Sequence, residues 1–192
     1  MGARSFMIAA RIPMSRAGFD EWWDTPLPEL DVIENPSAMY AGWACDGDAP
    51  DWDLTETAVH YPAALAEIRA DRAKTPRQLL ASRAADRGAV LLRHRDEGLE
   101  VYLYDYYGEE TGTHTALLML AGAGRFAHAG VAAPVMYWGG DVYPDLPLHG
   151  DRPLAVLLVT AARCRFVGSY PLDALVAALR PVERDFLQVF AP

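Results

Sequence analysis

Residues 99–120, LEVYLYDYYGEETGTHTALLML, constrain this chain more than any other stretch. Leu99, Val101 and Leu103 alternate with Glu100, Tyr102, Tyr104 and Tyr106. A period of two, written in β-favouring residues, predicts a strand. The run Gly108-Glu109-Glu110-Thr111-Gly112 interrupts it, and Thr113 to Leu120 is expected to return as a second strand. A loop over 108–112 then sets Tyr106 opposite His114 and Tyr104 opposite Ala116.

The preceding segment, Ala89-Val-Leu-Leu-Arg-His-Arg95, leads into Asp96-Glu97-Gly98 and is expected to pair back on residues 99–104. Gly98 can close a three-residue turn in the left-handed conformation, which places Arg95 opposite Leu99 and His94 opposite Glu100. A two-residue turn instead places Arg93 opposite Glu100. It needs positive φ at both Asp96 and Glu97, for which Asp-Glu is a poor pair, so the longer turn is preferred. The choice exchanges the faces of the whole first strand. With the longer turn, one face carries His94, Glu100, Tyr102, Tyr104, Tyr106 and His114, and the other carries Leu99, Val101, Leu103, Leu117 and Met119. The tyrosine face reads either as a second packed layer covered by helices or as a surface for a ligand or partner.

The rest of the chain alternates between strands and helices. Residues 6–12 (FMIAARI) form an apolar strand stopped by Pro13, and Ser15 caps a helix over 16–24 with Phe19, Trp22 and Trp23 on one stripe. Residues 25–53 are proline-rich and irregular, with a short strand expected at 38–44. Pro62 starts an alanine- and charge-rich helix expected on the surface. Thr75-Pro76-Arg77-Gln78 is a second helix start, a capping box with Pro at its first position. Strands are expected at 134–138 and at 154–160, the latter an apolar run buried on both faces. Residues 163–167 continue that strand or pair back on it. A last helix follows Pro171, with Leu172, Leu175, Val176 and Leu179 on one stripe, and Pro181 breaks or kinks it. At 192 residues and 52% hydrophobic content, this describes a single α+β domain, residues 1–192. Its sheet is mainly antiparallel, with hairpins around 89–120, strands near 6–12, 134–138 and 154–167, and helices packed on it.

The 26 acidic and 17 basic residues give a net charge of −9, which disfavours nucleic acid and anionic membranes and suits a basic partner. Cys45 and Cys164 form no CxxC pair, and free thiols in a reducing cytoplasm are expected. No stretch reads as a signal peptide or is long enough to span a bilayer. Asp46, Asp48, Asp51 and Asp53 crowd one loop, but Pro50 and Thr57 stand where a calcium loop needs oxygen ligands, so no metal site is expected. Asp53-Leu-Thr-Glu56 reads instead as a helix-capping box.

Catalytic signatures are missing. Gly168-Ser169-Tyr170-Pro171 is no nucleophile elbow, His94-Arg95-Asp96 lacks every other kinase element, and the glycines at 122, 124 and 130 match no nucleotide-binding loop. Small residues there fit close packing instead. The expected function is an acidic, soluble, cytoplasmic protein-binding module without cofactor. A stoichiometric inhibitor, immunity factor or antitoxin directed at a basic bacterial enzyme fits that description. The expected binding residues are Tyr102, Tyr104 and Tyr106 with Asp46, Asp48 and Asp51. The alternative is a small hydrolase-like enzyme using His114, Tyr106 and Glu109 as base, phenol and carboxylate. A structural or oligomeric scaffold is a third reading.

Overall fold

The computed structural model describes residues 5–42, 59, 62–83, 89–104, 109–140 and 154–190. Among these, six strands form one antiparallel sheet. They are β1 (Ser5–Pro13), β2 (Ala89–Arg95), β3 (Gly98–Tyr104), β4 (Ala133–Gly140), β5 (Leu154–Val159) and β6 (Cys164–Phe166), in the order β2-β3-β1-β4-β5-β6. β1 lies at the centre, with Ala10 opposite both Val101 and Val135. The helices are α1 (Arg16–Trp23), α2 (Pro62–Asp71), α3 (Pro76–Arg83), α4 (Glu109–Ala123) and α5 (Leu172–Phe190). The α+β architecture and the strands expected near 6–12, 134–138 and 154–167 are all present, and β6 pairs back on β5.

The alternation of β1, β3, β4 and β5 divides the apolar side chains between two layers. Ile8, Ala10, Ile12, Leu99, Val101, Leu103, Val135 and Leu157 face α1 and α4. Met7, Ala9, Tyr102, Met136, Trp138 and Val156 face α5, which answers with Leu175, Leu179, Val182 and Phe186. That spacing is one stripe of an α-helix. The stripe continues through Pro181, so α5 is one helix over 172–190 and is not broken there.

Two expectations about the central stretch fail. Residues 113–120 are not a strand but the middle of α4, so Tyr104 does not pair with Ala116. After Thr115 the segment is Ala-Leu-Leu-Met-Leu-Ala, strong helix formers without a β-branched residue. All residues from 112 to 121 are buried, so no amphipathic period was there to mark the helix.

The turn after β2 is also the shorter one. Asp96 and Glu97 take φ of 47° and 55°, and the register pairs Arg95 with Gly98, His94 with Leu99 and Arg93 with Glu100. Strain at the turn is offset by what it holds. The Glu97 carbonyl accepts from the Met14 amide at 3.0 Å, and the Asp96 carbonyl accepts from Arg11 Nη2 at 3.2 Å. The register also places Val90 and Leu92 toward the α1 side of the core and Arg93 and Arg95 toward α5. His94 therefore leaves the tyrosine face. Its Nε2 lies 3.0 Å from the Met14 carbonyl and its ring lies 5.6 Å from that of Phe19.

The remaining local expectations divide similarly. Ser15 Oγ accepts from the Gly18 amide at 3.1 Å, and Phe19 and Trp22 are buried. Thr75 and Gln78 form the reciprocal capping box, at 2.9 and 3.2 Å. Residues 36–38 form a 3-10 turn ending in tight turns at 39–42, not a strand. Gly42, at φ +83°, explains part of this: a Cβ there would lie 2.2 Å from the Gly168 carbonyl oxygen. Close packing at the α4 end is also present, since a Cβ on Gly124 would lie 2.4 Å from the Thr160 carbonyl oxygen.

Candidate functional site

Charge is unevenly distributed along the chain. Residues 17–68 hold twelve Asp and Glu and no Lys or Arg, while the remainder holds 17 basic against 14 acidic residues. In the described part of that stretch, Asp20, Glu21, Asp24, Glu29, Asp31 and Glu34 are all exposed. Their placement follows from the chain's path over the helical layer. α1 is anchored inward by Phe19 and Trp22, with Trp22 Nε1 donating to the Met119 carbonyl at 3.2 Å, so Asp20, Glu21 and Asp24 are left outside. The chain then crosses to the far edge of the sheet. The Leu27 amide donates to the Lys74 carbonyl, and Ile33 makes a bridge to Cys164 of β6.

Arginines on α1 itself and on other parts of the chain reach several of these carboxylates. Arg77 forks onto Asp24 at 2.7 and 2.9 Å, Arg16 pairs with Asp20 at 2.9 Å, and Arg72 holds Glu29. The Arg77 hydrogen bond holds the Asp24 carboxyl below its usual range, so it stays ionised well below neutral pH. Among the described residues, Glu21 and Asp31 have no ion-pair partner, so they present uncompensated charge. A row of ionised, exposed carboxylates can attract and orient a cationic surface; it offers no nucleophile.

A second polar group lies inside. Asp71, Thr113, His114 and Thr115 are buried where α2 packs on α4. Asp71 accepts from Lys74 Nζ at 2.8 Å and from Thr115 Oγ1 at 3.4 Å. Its charge is thus compensated within the fold, and the cluster ties α2 to α4. As expected, α2 lies on the surface with its two large apolar groups, Leu65 and Ile68, turned inward; the burial of Asp71 is the feature that its charge-rich composition did not suggest. The one signal in the sequence was the three-residue spacing of Asp71 and Lys74.

The third polar group faces α5. Arg93 bonds Glu100 at 2.9 Å and also reaches Asp185, while Arg95 bonds Asp185 at 2.7 Å. The Arg93 hydrogen bond, with further help from the Arg93, Arg95 and Arg184 charges, lowers the Asp185 pKa against the opposing effect of burial. Sequence reasoning missed this network because Asp185 lies 92 and 90 residues from Arg93 and Arg95 and because the contacts depend on the β2–β3 register.

Of the expected site residues, Tyr102, Tyr104, His114 and Glu109 are among the described residues. Tyr102 is 1% exposed, and Phe186 stacks on it with ring centroids 4.4 Å apart. The tyrosine face is therefore the packed layer, with Tyr104 half-buried at its rim. His114 is 2% exposed on α4, and the hairpin that was to bring it to Tyr106 is not formed. Glu109 is the first residue of α4. Tyr106, Asp46, Asp48 and Asp51 lie outside the described residues. Among the described residues no group of three or more His, Cys, Asp or Glu is placed to hold a metal ion, and no helix is long and apolar enough to cross a membrane. A niche bordered by Trp22, Pro26, Pro28 and Arg125 encloses essentially no free volume, against the several hundred Å³ of an ordinary ligand cleft. No protein-family model, curated protein or solved structure matches this chain, so the family is left open and the functional reading rests on the geometry above.

Proposed function

We propose that the chain is a protein-binding module that engages a basic partner protein through the acidic rim running from α1 to the β6 edge. The observation that carries the reading is the separation of charge: residues 17–68 lack any Lys or Arg, and the acidic side chains described within 17–42 are all exposed. Such a rim accelerates encounter and sets orientation for a partner of opposite charge. Asp46, Asp48 and Asp51 belong to the same stretch and are proposed to extend the rim. A stoichiometric inhibitor, immunity factor or antitoxin of a basic bacterial enzyme is the class that fits, because it needs shape and charge but no catalytic group. A cytoplasmic setting goes with this reading, and the buried thiol of Cys164 is compatible with it.

Affinity capture from the source cell tests the proposal, comparing the natural chain with a Glu21→Lys/Asp31→Lys variant. The expected result is a stoichiometric basic protein that the variant loses. Capture of a partner that is acidic, or that the variant retains at full yield, overturns the reading.

A further inference from the structure

The sheet has two edges, and they are treated differently. At β6 the strand is three residues long, and its outward groups are taken. The Glu34 amide donates to the Cys164 carbonyl at 3.0 Å, while Asn35 donates to the Phe166 carbonyl at 2.9 Å and accepts from its amide at 2.8 Å. That edge is closed by the chain itself.

β2 is a seven-residue edge with none of these devices. Its ladder with β3 runs unbroken from Ala89 to Arg95 without a bulge, and it contains neither Pro nor Gly. A two-residue turn makes Arg95 and Gly98 a hydrogen-bonded pair, so Arg95, Arg93, Leu91 and Ala89 bond inward to β3. The amides and carbonyls of Val90, Leu92 and His94 therefore point away from the sheet. Outside the β2–β3 ladder, no main-chain hydrogen bond among the described residues involves these three. Their side chains are half-buried, as expected of an edge strand with layers above and below.

We propose that this edge pairs with the same edge of a second copy of the chain, antiparallel, with Leu92 on the two-fold axis. The occupant follows from the register. The outward residues are symmetric about Leu92, so Val90 meets the copy's His94 and Leu92 meets its counterpart. The three pairs supply about six main-chain hydrogen bonds. On the α5 side, Leu91 falls opposite Arg93 and Ala89 opposite Arg95, so no two arginines are directly opposed, and the two copies of Arg93 stand as diagonal neighbours. Each arginine is already neutralised within its own chain, Arg93 by Glu100 and Asp185 and Arg95 by Asp185, so closing the edge buries no unpaired charge. The two sheets become one of twelve strands, an isologous contact of the commonest symmetric kind.

Sedimentation equilibrium with Val90→Pro tests this. Proline at 90 removes an outward donor without breaking a bond to β3, so the monomer fold is retained, as far-UV circular dichroism will report. The natural chain is expected to sediment as a dimer that dissociates on dilution, and Val90→Pro as a monomer. Amide exchange at Leu92 and His94 is expected to slow as the natural chain is concentrated. The proposal is overturned by a monomer at every concentration, by a dimer that persists in Val90→Pro, or by protection of these amides only in complex with a different protein. If Val90→Pro does not fold, the concentration dependence of Leu92 exchange in the natural chain decides alone: its absence rejects the pairing.

Discussion

Asp185 and Glu183 stand two positions apart on α5 and are shifted in opposite directions. The Arg93 hydrogen bond lowers the Asp185 pKa, whereas burial raises that of Glu183 against a weaker pull from Arg180. A lowered carboxylate pKa contributes stability that is present above the unfolded value of about 3.9 and is lost as pH falls through the folded value. A raised one does the reverse, costing stability once the pH climbs through the unfolded value. Asp185→Asn is therefore expected to destabilise the protein at pH 7 and to destabilise it less at pH 3. Glu183→Gln is expected to stabilise it at pH 7. Urea unfolding at the two pH values reads both. Beside them, Phe186 is fully buried and stacked on Tyr102. Phe186→Ala is expected to cost about 3–5 kcal/mol in the same experiment. Cys164 completes the residue scale: burial pushes its thiol up to about 11, and its Sγ lies 3.5 Å from the Ala121 carbonyl. In a Cys45→Ser background it should resist a thiol reagent at pH 8 until denaturant is added.

The β2–β3 turn carries its own prediction. Two non-glycine residues at positive φ cost roughly 1–2 kcal/mol each by local sterics, partly offset by the bonds their carbonyls accept. Glu97→Gly relieves the second position while keeping the Met14 amide bond, because that bond uses only backbone. A gain of about 0.5–1 kcal/mol in unfolding free energy is expected, the opposite of the usual effect of glycine in a hairpin strand. This turn also marks the limit of what was legible in the sequence. β3 with its clean period of two, β1 as a short apolar run stopped by Pro13, and the capped starts of α1 and α3 are readable because their signals are local. The turn departs from the local preference for Gly98 at the left-handed position because the register is favoured by distant partners, Met14, Arg11 and Asp185 among them, that the local pattern does not contain. α4 was misread because a helix buried on every side has no polar face to betray its period. The candidate site was less legible still: His114 and Tyr102 looked like chemistry in the sequence, and both are held in the interior by elements the local pattern does not contain.

At the scale of the whole molecule, the acidic rim and the β2 edge lie at different places and ask for different partners. The rim is a property of charge summed over a chain segment, and its effect is long-ranged only while salt is low, since the screening length is about 8 Å at physiological ionic strength. The edge pairing depends on main-chain hydrogen bonds and depends little on salt. Ionic strength therefore separates the two interactions. Association with a basic partner should slow steeply between low and physiological salt while dissociation changes little, because rim charges steer encounter more than they hold the complex. Dimerisation through β2 should be flat over the same range or strengthen slightly, since screening relieves the repulsion between two chains each carrying −9. Stopped-flow association with the captured partner, set beside sedimentation of the chain alone across the same salt series, measures both. Salt-insensitive association would remove the acidic rim from recognition, and a dimer weakened by added salt would mean that charge, not strand pairing, joins the copies.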